Sequence, residues 1–208
     1  MMAELGWKMT RMQNGGIRLK VTSVSKPVGK LLVNKREYYN RFIRQLKAAG
    51  EFKDIWIEID STGGSLASAC GMIQALGIAG WKKHNMRILI NGRCDSAATM
   101  LLKLPFPVYI TPTSGMYIHM PSSVKYKRKN DGCGYFQTGI TRMDKEASVG
   151  AMEGAYIHRC KSNGKKKKRR EIRAMMEESR RFSPAEAVEY GLADAIMTAT
   201  EFERSGLF

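Results

Sequence analysis

The chain has 208 residues, of which 43% are hydrophobic, and a formal net charge of +16 at pH 7. This length is enough for one well-filled α/β domain and short for two. No run approaches the roughly 18 apolar residues of a membrane span, and the first residues lack a secretory signal, so a cytoplasmic protein is expected. The four cysteines are scattered without a CxxC pair, which argues against a zinc site or a disulfide framework.

The first quarter of the chain predicts one strand and one helix. Residues 1–16 are polar and basic and end in Asn-Gly-Gly, which predicts a flexible arm or a hairpin closed by a turn. Residues 17–24 alternate between apolar and polar, the pattern of a half-exposed strand. Residues 34–49 carry apolar side chains at helical spacing before Gly50, which predicts a helix.

Two strand-turn-helix units follow. The first is a strand over residues 54–60, a turn at 61–65 (STGGS) and a helix with Leu66, Ala69, Cys70, Ile73 and Leu76 on its apolar face. The second is a strand over residues 86–92, a turn that contains Ser96 and a buried helix that ends at Leu104. Such alternation predicts parallel βαβ units, whose sites gather at the carboxyl ends of the strands.

The rest of the chain predicts short strands and three helical segments. A strand over residues 116–118 is followed directly by His119, which the rigid Pro121 follows in turn. The remaining predicted elements are strands at 108–110 and 192–196 and helices at 141–160, 169–179 and 183–191.

Ser96 has the sequence setting of a nucleophile elbow, a strand-to-helix turn that exposes one hydroxyl beside the first amides of a helix. The alternative is that Ser96 only caps the helix. A nucleophilic serine needs a base and two donors for the oxyanion. Of the three histidines, His84 and His158 lie in polar or charged surroundings, whereas His119 ends an apolar strand, where a purely structural role is also open.

Much of the positive charge lies in two short runs, residues 125–129 and 161–170. A basic surface attracts phosphate whatever its sequence, so nucleic-acid binding is a minor alternative. Solvated loops without a partner are the more common role of such runs.

Four segments carry a family resemblance: residues 61–65 (STGGS), 92–98 (GRCDSAA), 117–121 (YIHMP) and 183–194 (SPAEAVEYGLAD). They occur in the order and at about the spacing of the Clp protease proteolytic subunit, which the chain resembles from about residue 54 to 196. The resemblance is weakest between residues 122 and 164, and the Ser-Ala-Ala-Thr variant is most similar to phage and prophage members. The resemblance implies a crotonase-like ββα spiral, with a flexible basic N-terminal arm at 1–16 and a single domain at 17–208. This domain has a protruding handle helix within a handle region at about 122–164.

The resemblance also implies a serine endopeptidase without cofactor or metal. It assigns Ser96 as the nucleophile, His119 as the general base, and the amides of Gly64 and Ala97 as the oxyanion hole. Gly64 suits that role because glycine permits close backbone approach, and Ala97 because it opens a helix.

Two departures from the family concern the same site. The position of the family's triad acid is occupied by Ser179, so Glu178 is the expected acid and Glu177 the other candidate. The remaining alternative is that a hydroxyl or water orients His119, in which case activity is expected to be low. Asp95 precedes the nucleophile where the family prefers a small residue. A buried anion there opposes formation of the oxyanion, whereas an exposed one, or one paired with Arg93, has little effect.

The resemblance further implies stacked heptameric rings, a polypeptide substrate and an AAA+ ATPase partner. A phage context suggests cleavage of a capsid or scaffold protein, and the basic residues 1–16 do not favour docking to an ATPase. A noncatalytic ring-forming scaffold of the same family is the main alternative. A crotonase-type acyl-CoA enzyme ranks last, because such a site gives no reason for a Ser-His pair.

Overall fold

The computed structural model describes residues 7–12, 15–22, 44, 48, 54–78, 85–121, 126–128, 135–137 and 142–204. The strands are β1 (Trp7–Arg11), β2 (Ile17–Val21), β3 (Asp54–Ser61), β4 (Asn85–Asp95), β5 (Val108–Ile110), β6 (Gly115–Tyr117), β7 (Tyr126–Arg128), β8 (Tyr135–Gln137), β9 (Arg181–Phe182) and β10 (Ala195–Ile196). The helices are α1 (Leu66–Ile78), a 3₁₀ helix (Ser96–Lys103), α2 (Arg142–Ser162), α3 (Arg169–Glu177), α4 (Pro184–Glu189) and α5 (Ala199–Arg204).

Within the described ranges, eight strands form one sheet in the order β1-β2-β3-β4-β5-β10, with β6 paired to β4 and β9 paired to β6. All pairs from β2 to β10 along this order are parallel, and β4 and β6 are parallel as well. The fold is therefore the expected α/β class, with helices packed on a largely parallel sheet. Parallel strands bring their carboxyl ends, and the turns that follow them, to one edge of the sheet.

The described part of the predicted N-terminal arm belongs to the sheet. β1 pairs with β2 in antiparallel register, and Trp7 is buried against the core. The turn is closed by a 2.8 Å bond from the Met12 amide to the Gly16 carbonyl, and Gly15 has a φ of +81°. The hairpin, which was the other alternative for this segment, is therefore correct.

The core lies between the sheet and the helices α1, α2 and the 3₁₀ helix. α1 buries Ala69, Met72 and Leu76, whereas Cys70, which was expected on this face, is exposed. Met72 lies three residues after Ala69 and four before Leu76, so these three side chains share one helical face. The buried face of α1 is therefore rotated toward Met72 and away from Cys70.

The predicted handle helix corresponds to α2, which extends over 21 residues. Residues 145–147 near its beginning are exposed, whereas Val149, Tyr156 and Cys160 are buried. Buried Arg159 donates to the Phe106 carbonyl at 3.0 Å and forms an ion pair with Asp194. The second half of α2 is therefore part of the core.

The sequence-based predictions agree with most other described elements. β5, α3, α4 and β10 lie where they were predicted, and Ser183 caps α4 with a capping box and proline at the first helical position. The predicted helix at 34–49, apart from residues 44 and 48, and part of the basic run 125–129 lie outside the described residues. Within the described part of the chain, no helix is both long enough and apolar enough to span a bilayer.

Candidate active site

The candidate site begins where β4 changes its neighbour. The register between β3 and β4 shifts after Ile59, at a bulge in which Gly92 has a φ of +130°. The Asp60 carboxylate accepts from the Arg93 amide at 3.1 Å and occupies the space that a side chain at residue 92 would need. Ser114 Oγ accepts from the Gly92 amide at 2.7 Å. Before this bulge β4 pairs with β5, and beyond it β4 pairs with β6. The pairing with β6 extends β4 as far as Asp95, the residue before Ser96.

Ser96 has the strained backbone of an elbow. It follows β4 directly and has a φ of +54°, in the left-handed region that costs an ordinary residue about 1–2 kcal/mol. Asp95 occupies the N-cap position of the 3₁₀ helix, and Ser96 is the first residue of that helix. The alternative role of Ser96 as a helix cap is therefore not observed. Thr99 Oγ1 donates to the Ser96 carbonyl and stabilises the turn. Such outliers are concentrated at functional sites.

A glycine turn lies directly against this elbow. A Cβ on Gly63 would lie 2.7 Å from the Cβ of Ser96 and 3.1 Å from the amide nitrogen of Ala97. Gly63 and Gly64 both have positive φ, at +98° and +140°. Gly63 makes a close approach to the elbow, and the role of Gly64 stays a prediction. The turn nonetheless lies at the same corner as the Ala97 amide, where the oxyanion hole was predicted.

His119 lies at the end of the neighbouring strand. Asp95 on β4 pairs in Cα register with Tyr117 on β6, so His119 follows β6 as Ser96 follows β4. Its side chain is half-buried, and its ring stacks on the Tyr117 ring with centroids 5.0 Å apart and planes 20° apart. Arg181 on β9 lies over the same tyrosine ring, with Cζ 4.5 Å from the centroid.

The end of α3 lies behind His119. The amide of Ile118 donates to the Arg180 carbonyl and that of Met120 to the Met176 carbonyl, both at 3.0 Å. These two bonds bracket His119 and hold it beside the chain segment of residues 177–179.

That segment carries the residues considered for the triad acid. Glu178 is the C-cap of α3, and Ser179 follows with a φ of +56° in a Schellman turn closed by the Ser179 and Arg180 amides. Glu177, Glu178 and Ser179 are all exposed. Among the described residues, no carboxylate makes an ion pair or a hydrogen bond with His119. The fold therefore brings this backbone to His119, with the Glu178 side chain exposed and not bonded to the ring.

Asp95 is both buried and paired. It is 3% exposed, and its Oδ2 accepts from Arg93 Nε at 2.8 Å and from Nη2 at 2.6 Å. The neighbouring Cys94 is fully buried, and burial, with the Asp95 charge adding to it, raises the pKa of the thiol well above its usual value. A fully buried thiol that stays protonated is not accessible or reactive, so Cys94 is not a candidate nucleophile at this turn.

Three residues at this site were missed by sequence reasoning. Gly63 contacts the elbow, Thr99 bonds its carbonyl, and Tyr117 stacks on His119. The signal for Tyr117 was available, because residues two apart on a strand lie on the same face. Among the residues that the structure describes, no three histidine, cysteine or acidic side chains are grouped to hold a metal ion.

Comparison with known proteins identifies the family of the chain. A search of curated proteins finds no match. A family model described as Clp protease matches residues 32–200, a range that includes the elbow, the glycine turn and His119. Because this match covers most of the chain, the protein belongs to the Clp protease family.

Proposed function

We propose that this protein is a serine endopeptidase that cleaves polypeptides through an acyl-enzyme on Ser96. The observation that carries the proposal is the left-handed Ser96 at the end of β4, next to the strand that presents His119. The family match supports a protease of the Clp type, and the roles of individual residues are part of the proposal.

In the proposed reaction, His119 takes the proton of the Ser96 hydroxyl as the oxygen attacks the carbonyl carbon of the peptide. The C–N bond of the tetrahedral intermediate then breaks, and the imidazolium gives its proton to the leaving amine. Water attacks the acyl-enzyme by the same route, and the second product leaves with a new carboxyl group.

The amides of Gly64 and Ala97 are the proposed donors to the oxyanion. The support is the contact of the glycine turn with Ser96 and with the Ala97 nitrogen. A donor of this kind typically stabilises the transition state by about 3 kcal/mol. The ion pair with Arg93 supports the proposal further, because it offsets the negative charge of Asp95 next to this position.

Glu178 stays the predicted triad acid. Its backbone is close to His119 through the bonds of Ile118 and Met120, but its carboxylate must turn away from solvent to reach the ring. We expect slow turnover in the conformation described above, because a histidine without a carboxylate partner is oriented less well and its imidazolium is less stabilised.

Assembly into stacked rings, work with an AAA+ ATPase and a place in the phage branch of the family are also proposals. The exposed residues 145–147 near the beginning of α2 support stacking through this helix, because they leave a free surface next to a well-packed core. Analytical ultracentrifugation tests the ring, and a sedimentation coefficient of a monomer at micromolar concentration contradicts it.

A fluorophosphonate probe tests the proposed chemistry. The wild-type protein is expected to become labelled at Ser96, as located by mass spectrometry of its peptides. Ser96→Ala and His119→Ala are expected to lose labelling. Ser162→Ala, which changes an exposed serine at the end of α2, is expected to keep it. A protein that is folded by circular dichroism but takes no label at Ser96 contradicts the peptidase proposal.

A noncatalytic scaffold of the same family is the second candidate. The observation in its favour is Ser179, a residue without a carboxylate in the segment beside His119. The scaffold predicts rings that form normally in both the wild type and Ser96→Ala, with no labelling of either.

A further inference from the structure

The His119 ring stacks on the ring of Tyr117, two residues earlier in the chain. We propose that Tyr117, braced by Arg181, is a positioning residue that orients the His119 imidazole in the conformation in which no carboxylate is bonded to the ring. The inference rests on the proposed function, because it assigns His119 as the base.

Tyr117 and His119 are two residues apart on an extended segment, so their side chains lie on the same face. The residues between and before them, Ile118 and Met116, point into the core and are buried. The two rings are nearly parallel, with centroids 5.0 Å apart, which is within the range of about 4.5–7 Å for attractive aromatic pairs. The buried neighbours anchor the backbone, and the stack then limits rotation of the imidazole.

Arg181 completes the arrangement from the other strand. It is the direct Cα partner of Tyr117 in the antiparallel pair of β6 and β9. Its Cζ lies 4.5 Å from the tyrosine centroid, inside the limit of about 6 Å for a cation–π contact. In the part of the chain that the structure describes, the guanidinium has no carboxylate partner, so the ring is its main contact.

A triad carboxylate has two effects on the histidine, of which the stack supplies only one. It orients the ring, and it stabilises the imidazolium that forms during attack. An aromatic neighbour orients the ring without adding negative charge. The reaction is therefore expected to be slow, and its rate is expected to depend on the ring of residue 117 and not on the tyrosine hydroxyl.

Three variants separate the effect of the aromatic ring at residue 117 from the effect of the tyrosine hydroxyl. Tyr117→Phe keeps the ring, Tyr117→Leu removes it, and Tyr109→Leu removes a half-buried strand tyrosine that packs on Trp56, outside the proposed site. Proton NMR of the histidine side chains, assigned with His119→Gln, gives a readout that does not depend on activity. Stacking shifts the His119 ring protons upfield. We expect this shift in the wild type, Tyr117→Phe and Tyr109→Leu, and its loss in Tyr117→Leu.

The rate of Ser96 labelling by the fluorophosphonate gives the second readout. We expect Tyr117→Leu to lower the rate constant about two- to tenfold, the range for loss of one aromatic pair. Tyr117→Phe and Tyr109→Leu are expected to react at the wild-type rate. Arg181→Gln is expected to give a smaller loss, and none when it is added to Tyr117→Leu, because the guanidinium acts through the ring.

The outcomes distinguish this inference from the proposed function. No labelling of the wild type contradicts the function, and the inference with it. Labelling of the wild type with an unchanged rate in Tyr117→Leu contradicts the inference alone. Equal losses in Tyr117→Phe and Tyr117→Leu also overturn it, because they assign the effect to the hydroxyl. Histidine protons that do not move in Tyr117→Leu show that the stack is absent in solution.

Discussion

Gly63 lies so close to Ser96 that a Cβ on the glycine would be 2.7 Å from the serine Cβ and 2.6 Å from the Asp95 carbonyl oxygen. The contact joins the turn after β3 to the turn after β4. A side chain at residue 63 must therefore displace the elbow. The backbone φ of Gly63, +98°, is also unfavourable for any residue other than glycine.

We predict that Gly63→Ala lowers the free energy of unfolding by about 2–4 kcal/mol, from backbone strain and steric overlap together. It is also expected to abolish labelling of Ser96. Gly71→Ala is the matched control, because a Cβ at that position in α1 meets nothing within 4 Å. Urea unfolding and probe labelling measure the two effects. A Gly63→Ala protein with wild-type stability contradicts the close contact.

The ion pair of Arg93 with Asp95 offsets a buried negative charge next to Ser96. Arg93→Gln leaves the buried Asp95 carboxylate without this partner beside the proposed oxyanion. We expect labelling to slow about tenfold, which corresponds to roughly 1.4 kcal/mol. Adding Asp95→Asn is expected to restore the rate. Arg87→Gln, which breaks an ion pair near the other end of β4, is the control. Equal rates in both single variants contradict the prediction.

Ser179 offers a gain-of-function test. Ser179→Asp introduces a carboxylate in the segment beside His119, and aspartate tolerates the left-handed backbone there. We expect labelling to become at least about tenfold faster, because the imidazolium gains a partner. Ser179→Gly is the control. It relieves the backbone at this helix end by about 1 kcal/mol without adding a carboxylate, so it should raise stability and leave labelling unchanged. An unchanged rate in Ser179→Asp excludes a carboxylate at this position as the missing acid.

The buried carboxyl group of Glu58 makes the stability of the protein depend on pH. The carboxyl group is fully buried on β3, where it forms an ion pair with Arg18, accepts from Asn91 Nδ2 at 3.1 Å and lies 3.5 Å from Lys20 Nζ. Burial raises the pKa of Glu58, but the hydrogen bond and charge of Arg18, with Asn91 and Lys20, outweigh burial and hold the pKa below its usual value. Its contribution to stability is therefore present above the pKa of the unfolded chain and is lost as pH falls through the lower pKa of the folded protein.

We predict that Glu58→Gln lowers the free energy of unfolding by about 2–3 kcal/mol at pH 7, because it removes the buried charge that Arg18 and Lys20 contact. Below pH 4.5, the reference value for a glutamate, the difference from the wild type is expected to shrink. Urea unfolding at a series of pH values measures it. Glu189→Gln, at an exposed glutamate of α4, is expected to change stability by less than about 0.5 kcal/mol. A pH-independent difference contradicts the lowered pKa.

The contact of Thr99 with Tyr156 links the elbow helix to α2. Their side-chain oxygens are 2.6 Å apart in the core, and Thr99 donates its own proton to the Ser96 carbonyl. Tyr156 must therefore be the donor. We expect Tyr156→Phe to cost about 1 kcal/mol and Thr99→Val about 1–3 kcal/mol, because the second change leaves a buried hydroxyl without this acceptor. The double variant should cost less than the sum. Additive losses in urea unfolding contradict the bond.

Sequence reasoning identified the parts of the fold that depend on local pattern. The alternation of apolar residues predicted β2, the β-branched and aromatic run at 54–60 predicted β3, the apolar run before Ser96 predicted β4, and the Ser-Pro pair at 183–184 predicted the start of α4. These signals are readable because strand periodicity, turn residues and helix caps act over only a few neighbouring residues. The same signals, with the family resemblance, led to Ser96 and His119.

Other features depend on contacts between distant segments. The burial of Glu58 depends on Arg18 from β2 and Asn91 from β4, and the role of Gly63 depends on where the bulge at Gly92 directs the end of β4. Both depend on the register of neighbouring strands, and no short-range pattern encodes that register.

The sequence by itself determined the α/β class and the order of the elements, because each rests on patterns within a short stretch. The proposal of Ser96 and His119 rests on short motifs together with the family resemblance. Only the tertiary structure decided how His119 is held. The Glu178 carboxylate is exposed, Tyr117 stacks on the His119 ring, and Arg181 from the paired strand lies over the tyrosine. The physical reason is that the partner of a side chain is set by cross-strand register and by the turn that ends α3, both of which form only when the sheet and helices pack together.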